Sequence, residues 1–397
     1  MHTLPPTKTA AVLFGISLCV FPVRAQASVN PSQPCLPYSD PVVAANLMDF
    51  PTPWTIASIL PNDAEAMAAW ESIAPGVPNI STKGTPDGNF TDFTPTYPSI
   101  DPDCWWTYKT CSTPKLPGLP PDIDSIPESR ALGFGFDDGP NCSHDAFYDY
   151  LLENNQKASM FYIGSNCMDW PDQCRRGVTD GHHISVHTWS HRYMTALPNE
   201  NAFAELWYAR KVIKLITGYT PMYWRPPFGD IDDRIRYIAF HLNMSAIGWS
   251  FDSEDWKVAS GQATEQDVEN NYNSLIQMAL NKTFESRGTI MLFHELNNGT
   301  MTNAMNFYTK LKDAFIGNLV PVASAENATH PYQETNLSYP NYAQYIQSHP
   351  FSGSDNSSTS GGNGGTGGAI GMPAVSGLVG ALAVTAMFLD GLARVIT

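Results

Sequence analysis

Basic residues are scarce in this 397-residue chain. Twenty-two Lys and Arg stand against 38 Asp and Glu, a net charge of −16. A basic stripe suited to a nucleic-acid backbone is therefore missing, and docking on an anionic membrane by charge alone is disfavoured. Charge of either sign is sparse, at 15%. No C-x-x-C pair of the zinc-binding type occurs, and no internal repeat is visible. Proline and glycine are instead abundant, at 32 and 29 residues, which excludes an all-helical bundle. What remains is a loop-rich, β-containing protein with 43% apolar residues. That length suits one large domain or two small ones.

The two ends read as addresses. Lys8 precedes an apolar stretch over residues 10–23, and Ala25-Gln26-Ala27 has the small-x-small form of a cleavage site. Residues 1–27 are expected to be a secretory signal peptide rather than a membrane anchor, because the apolar core is short for a span. At the other end, a Ser/Gly-rich linker over 352–368 leads into a mostly apolar tail, 369–397. Small residues, a spacer and a terminal apolar run form a glycolipid (GPI) anchor signal, with attachment expected between residues 357 and 365. A transmembrane helix is the alternative, but almost nothing follows the tail to hold it. Loss of Lys8 and Arg24 with the leader, Asp390 and Arg394 cancelling in the tail, takes the net charge to −18.

Cys19 falls in the leader. The other six, Cys35, Cys104, Cys111, Cys142, Cys167 and Cys174, are an even number and suggest up to three disulfides. Cys104 with Cys111, and Cys167 with Cys174, are close enough to close local loops. Nine N-x-S/T sequons lie at Asn79, Asn89, Asn141, Asn243, Asn281, Asn298, Asn327, Asn336 and Asn356. Together these features point to a secreted, glycosylated surface protein of a eukaryote.

Residues 28–125 form a Pro/Trp-rich N-terminal extension. One helix is expected there, over 63–73, and residues 112–128 read as a linker. Trp54, Trp70, Trp105 and Trp106 are candidates for stacking on sugars or for ordinary packing. From about residue 126 to 330, short β-favouring runs alternate with helical stretches. The runs lie near 132–136, 158–164, 183–187, 222–225, 245–251, 289–294 and 319–322. The helical stretches include 144–154, 201–217, 231–242, 265–280 and 303–316. Over 201–217, Phe203, Leu206, Val212, Ile213 and Ile216 share a face, and Gly218 stands where a C-cap glycine would. Seven such units predict an α/β fold, a parallel (β/α)7 TIM-like barrel, followed by a C-terminal extension and linker over 331–368.

In such barrels chemistry gathers where strands end. Polar residues of unusual type cluster there: Asp137-Asp138, His187 to His191, Arg225 to Asp230, Asp252 to Trp256, and Leu292 to Glu295. Two adjacent aspartates are costly to bury unless a cation or an arginine compensates. His187 and His191 share the i, i+4 spacing that lets two imidazoles meet one ion on a helical turn, though two ordinary surface histidines would look the same. With Asp138 they make a two-His, one-carboxylate set with open positions. Zinc is the commonest occupant, cobalt or another divalent ion an alternative. His183 lies about 13 Å from His187 along an extended strand, too far to share that ion. His182 and His183 are expected to be structural. Asp137 is then free to act as general base, with Arg225 as its charge partner. His294 is a lone histidine at a strand end, a candidate acid if it faces the metal site. Asp255 would orient it and raise its pKa, and Trp256 and Leu292 would supply an apolar wall.

These five segments, in this order and spacing, closely resemble the NodB-homology polysaccharide deacetylases, carbohydrate esterase family four. The matching stretches are Gly135-Phe136-Asp137-Asp138-Gly139-Pro140, His187 to His191, Arg225 to Phe228, Asp252 to Trp256, and Leu292 to His294. The resemblance covers roughly 130–325 and implies a distorted (β/α)7 barrel, and among members the chain most resembles the secreted, glycolipid-anchored fungal chitin deacetylases. It implies that Asp137 is the base, that Asp138, His187 and His191 bind one divalent ion, and that Arg225 positions Asp137. It implies further that the Phe228 amide binds the oxyanion, that Asp255 tunes the acid His294, and that Trp256 and Leu292 line the acetyl pocket. Two positions depart from the pattern: Gly135 replaces the usual Thr, and Phe228 the usual Tyr. The implied activity is removal of N-acetyl groups from chitin at a cell membrane or wall. A different acetylated polysaccharide, or wall binding by a vestigial site, are the alternatives. An acidic surface would retain a polymer whose deacetylated product is cationic.

Overall fold

The computed structural model describes residues 40–351. The leader, Cys35, the Ser/Gly-rich linker, Asn356 and the anchor tail lie outside the described residues. Nine short strands carry the barrel region: β1 Leu132–Gly133, β2 Gly135–Gly139, β3 Ser159–Tyr162, β4 His183–Val186, β5 Tyr223–Trp224, β6 Ser245–Ala246, β7 Phe251–Asp252, β8 Thr289–Leu292 and β9 Leu319–Val320. All pair in parallel. They form two sheets, β2-β3-β4-β5-β6 and β7-β8-β1-β9, where seven runs predict a single ring. The first run breaks at Phe134 into β1 and β2, and the fifth breaks between Ala246 and Phe251 into β6 and β7. At the first break the sheets stay in touch through a parallel bridge between Asp137 and His294. The barrel is distorted at the two places where the chain switches sheets.

The strands read as continuous apolar or small runs because helices cover them. Helices Asp145–Glu153, Asn199–Thr217, Asp233–His241, Glu265–Leu280 and Asn298–Ala314 match the expected stretches, with shifts of up to five residues at their ends. Gly218, at φ 84°, caps the longest through its N–H to Lys214. Two further helices, Gly164–Asp169 and Pro171–Thr179, fill a stretch whose pattern predicts none.

The N-terminal extension packs on the barrel. Asp63 caps the helix Ala64–Ile73, whose Trp70 tilts against Phe203. Phe50 stacks on Trp189, ring centroids 5.9 Å apart. Lys83 is fully buried and reaches Asp232 at 2.6 Å. The tryptophans are used in packing: Trp105 is 1% exposed, and the Trp54 indole donates to Asp169. Residues 112–128 are pinned, not loose. Ile123 bridges in parallel to Ile247, and Arg236 pairs with Asp122 at 2.6 Å.

Cys104 and Cys111 form the expected local disulfide, and Cys142 is also disulfide-bonded. Cys167 and Cys174 are buried free thiols with sulfurs 2.9 Å apart, unbonded where a second local loop was expected. Among the described sequons, Asn141 alone is half-buried, its Oδ1 accepting from the Ser143 N–H at 3.0 Å. The other seven are exposed. Among the described residues no helix is long and apolar enough to cross a membrane.

The departure at Gly135 has a steric origin. A Cβ there would sit 2.7 Å from the Ser159 carbonyl oxygen and 3.3 Å from the Phe161 ring. Gly135→Thr is therefore expected to destabilise the fold by about 1–3 kcal/mol, read as a lowered Tm. An unchanged Tm would mean that β3 gives way freely.

Candidate active site

Strand ends deliver the polar groups. Asp137 and Asp138 close β2 and are buried. Arg225, just past β5, is fully buried beneath them. Its Nη1 donates to Asp137 Oδ1 at 2.7 Å. Its Nε and Nη2 donate to the carbonyls of Ile247 and Gly248 at 3.2 Å, and its guanidinium lies 3.9 Å from the Phe161 ring centroid. Burial pulls the Arg225 pKa down, and Asp137 opposes that pull. A planar group held on three sides fixes one carboxylate oxygen of Asp137 and leaves the other facing His187, at 3.6 Å from Nε2.

Asp138 stands at φ 76°, a left-handed setting that a non-glycine residue holds at a cost of about 1–3 kcal/mol. The Asn166 side chain donates to its carbonyl oxygen at 2.8 Å. Its Oδ1 is buried and accepts no hydrogen bond. That oxygen lies 3.5 Å from His187 Nε2 and 3.2 Å from His191 Nε2, and the three ligand atoms lie within 4.8 Å of one another. His187 Nδ1 is 2.8 Å from the Arg225 carbonyl. A carbonyl only accepts, so Nδ1 carries a proton, which leaves Nε2 as the nitrogen that can offer a lone pair to an ion in the site. Burial raises the Asp138 pKa, but His191 and His187 overcome it and hold the carboxyl well below the usual range. A buried anionic oxygen without a hydrogen bond, beside two imidazole nitrogens, fits a divalent cation.

The two histidines do not meet on a helical turn. His187 follows β4, and the chain then passes through left-handed settings at Thr188, φ 64°, and His191, φ 54°. Two such residues fold the loop back and bring the imidazoles to 4.9 Å between centroids. His182 and His183 are structural, as expected. Both are fully buried, and burial pushes each pKa down to about 3.

His294, after β8, faces the same space. Its Nδ1–H donates to Asp255 Oδ1 at 2.6 Å, and its backbone N–H to Oδ2 at 3.2 Å. Burial lowers the pKa, but Asp255 first, then Asp138 and Asp137, raise it to about 10. Leu292 is buried at the end of β8 and Trp256 is half-buried beside Asp255. Phe228 stands at φ 57° and is 38% exposed. Its ring stacks on Tyr193 at 4.0 Å and meets His191 edge-on at 4.6 Å. The turn after Arg225 uses the N–H groups of Gly229 and Asp230, which donate to Pro226 and Pro227. Phe228 lies in the first turn of the short helix Pro227–Gly229, and its N–H comes just before the two bonded ones.

Three carboxylates support the site in ways the sequence does not announce: Glu205 stands away from the strand ends, and Glu295 and Asp230 lie in the polar clusters there without a role that spacing assigns. Glu205 is fully buried on the helix Asn199–Thr217. It accepts the N–H groups of Trp189 and Ser190 at 3.0 and 2.8 Å, the Ser190 hydroxyl at 2.7 Å, and the Ala57 N–H at 2.8 Å. It therefore holds the loop between the two metal-site histidines. Its signal was available: an acid between the apolar pairs Phe203-Ala204 and Leu206-Trp207 on that helix. Glu295 is fully buried and accepts from His144 Nδ1 and the Tyr148 hydroxyl, both at 2.8 Å. Its backbone N–H donates to the Asp137 carbonyl, and a Cβ at Gly139 would overlap its carboxylate. Asp230 is the third.

Comparison with known proteins gives the class first. A family model for polysaccharide deacetylases matches residues 125–247. Chitin deacetylase 2 of Cryptococcus neoformans var. grubii is 49% identical over 327 residues, 81% of this chain and 71% of its own length. The chitin deacetylase of Amylomyces rouxii is 44% identical, over 79% of this chain and 75% of its own. A solved chitin deacetylase from Colletotrichum lindemuthianum aligns with a TM-score of 0.47 at 19% identity, covering 55% of this chain and 99% of that one. The chain belongs to the polysaccharide deacetylase family.

Proposed function

We propose that this protein hydrolyses the N-acetyl groups of chitin, leaving chitosan and acetate, at the outer face of a cell. One observation carries the chemistry. A cation-ready triad, Asp138, His187 and His191, lies between a carboxylate fixed by Arg225 and an imidazole fixed by Asp255. The chitin deacetylases that are 44–49% identical over about four fifths of the chain support the polymer. The leader, the sequons and the tail support a secreted, glycolipid-anchored location.

Asp138, His187 and His191 would hold the ion, Zn2+ or Co2+. When bound, such an ion polarises the acetamide carbonyl and lowers the pKa of an attacking water. Asp137 takes a proton from that water, its other oxygen tied to Arg225 so that it cannot swing away. The carbonyl oxygen gains negative charge as the tetrahedral centre forms, and the Phe228 N–H donates to it. His294, whose protonated form the Asp255 carboxylate favours, gives its proton to the departing amine. The C–N bond then breaks and acetate is released. Leu292 and Trp256 form the apolar wall against the acetyl methyl.

The test is acetate release from chitotetraose and from acetylxylan, with metal content measured on the same sample. Release from chitotetraose with one divalent ion per chain is expected. Release from acetylxylan alone would move the substrate to another polysaccharide, and no release from either would point to a binding protein.

A further inference from the structure

The oxyanion loop, residues 227–230, is not held by the barrel alone. Asp230 is fully buried, and its carboxylate collects donors from two distant segments. From the N-terminal extension, the Trp105 indole donates at 2.9 Å and the Thr107 hydroxyl at 2.6 Å. From the stretch after His191, the Thr195 N–H donates at 2.7 Å and its hydroxyl at 2.8 Å. Trp106 lies against Gly229, which stands at φ 70°. A Cβ at that glycine would be 2.5 Å from the Trp106 ring, so only a glycine lets the indole close on the backbone. The Trp106 N–H donates to the Ile231 carbonyl at 3.0 Å. Its ring packs on Trp249 at 4.9 Å.

The other face of the loop is braced from the same extension. Tyr193, on which Phe228 stacks, donates its N–H to the Pro86 carbonyl at 3.2 Å and meets Phe90 edge-on at 5.3 Å. Gly88 approaches its ring so closely that a Cβ would be 2.4 Å away. Phe228 itself stands at a positive φ. A non-glycine residue stays there only where its surroundings over-determine it. Residues 86–107 supply those surroundings on both sides.

We propose that the N-terminal extension is a positioning element of the catalytic site, with Trp106 and Asp230 as positioning residues that aim the Phe228 N–H at the developing oxyanion. The inference rests on the deacetylase reading above. The extension does not touch the reacting atoms. It acts by fixing a strained backbone in advance, so that no reorganisation is needed as negative charge forms.

The test uses the full chain loaded with Zn2+ and chitotetraose as substrate. A second probe is the methylphosphonamidate analogue, in which a tetrahedral phosphorus replaces the acetyl carbon. Trp106→Ala is expected to lower kcat by about 10–100-fold, the range for loss of an oxyanion donor or somewhat less. KM and Zn2+ affinity should stay within about threefold, and the inhibition constant of the phosphonamidate should rise in parallel with the loss in kcat. Trp106→Phe should recover most of the loss. Thr107→Val, which removes one donor to Asp230, should give a smaller fall of the same kind and decides the matter if Trp106→Ala does not fold. Folded variants with kcat within about twofold of the wild type overturn the proposal. So does a loss confined to KM or to Zn2+ affinity, or a fall in kcat with phosphonamidate affinity unchanged. A wild-type protein that releases no acetate overturns the deacetylase reading and this inference with it.

Discussion

Asp138→Ala is expected to remove the bound divalent ion and to lower acetate release by on the order of 10³-fold or more. The donor geometry carries the expectation. Asp138 Oδ1 is the one oxygen among the three ligand atoms, and it has no hydrogen bond to fall back on. Its removal leaves two imidazoles, of which only His187 has its tautomer fixed by a backbone carbonyl. Two neutral nitrogens bind a hard or borderline cation far more weakly than a set that includes an anionic oxygen. The fold should survive, since the variant deletes a buried carboxylate rather than a packing group. Alanine tolerates φ 76° less well than aspartate, so a modest fall in Tm accompanies the loss of the ion. Ion binding also stabilises the folded state, by about 4 kcal/mol at a thousandfold excess over Kd. Chelation should therefore lower the Tm of the wild type and leave that of the variant unchanged. Metal analysis, a thermal scan with and without chelator, and an acetate assay check all three statements. Turnover retained in a metal-stripped wild type would sink the role of the ion.

The strand ends were legible because the chemistry there is local in sequence. Asp137-Asp138, His187 with His191, and His294 each sit within a few residues of a β-favouring run, so alternation and spacing place them. The loop geometry was not legible. The i, i+4 spacing of His187 and His191 suggests a helical turn, yet the pair is brought together by positive φ at Thr188 and His191. No side-chain pattern announces that for threonine or histidine. The split of the first run at Phe134 was hidden for a related reason. Leu132 pairs with β8 and β9 while Phe136 pairs with β3, and a change of partner does not alter the apolar run itself. The helices over 164–179 lack a clean apolar period, interrupted as they are by Pro171 and several polar residues. The supporting groups were least accessible. Thr107 and Asp230 are 123 residues apart, and Ala57 and Glu205 are 148. Their value lies in contacts that only the fold creates. The tryptophans of the extension illustrate the same limit. Composition allowed sugar stacking, but Trp105 is buried against Asp230.

Asp255→Asn is expected to move the alkaline limb of the kcat profile towards acid by a unit or more. A free imidazole titrates near 6.5, and burial alone would take His294 lower. The ion pair with Asp255 at 2.6 Å is the first of the influences that reverse this, ahead of Asp138 and Asp137, and the result is about 10. The sign follows directly. An acid must hold its proton to give it away, so activity persists while pH is below the pKa of His294 and falls as pH rises through it. A cation beside Asp138 offsets part of that carboxylate's field, which places the limb of the loaded enzyme between about 6.5 and about 10. Asparagine at 255 removes the strongest raising influence and leaves burial, which lowers. At pH 8 the variant should lose about 10–100-fold in kcat, and less at pH 6, where more of its His294 is still protonated. His294→Ala should lose on the order of 10²–10⁴-fold and show no alkaline limb of this origin, while Zn2+ content stays at the wild-type level. The pair of variants separates a tuned acid from a merely structural contact. A structural loss at Asp255 would scale the whole profile down and leave its limb in place, whereas loss of tuning slides the limb itself.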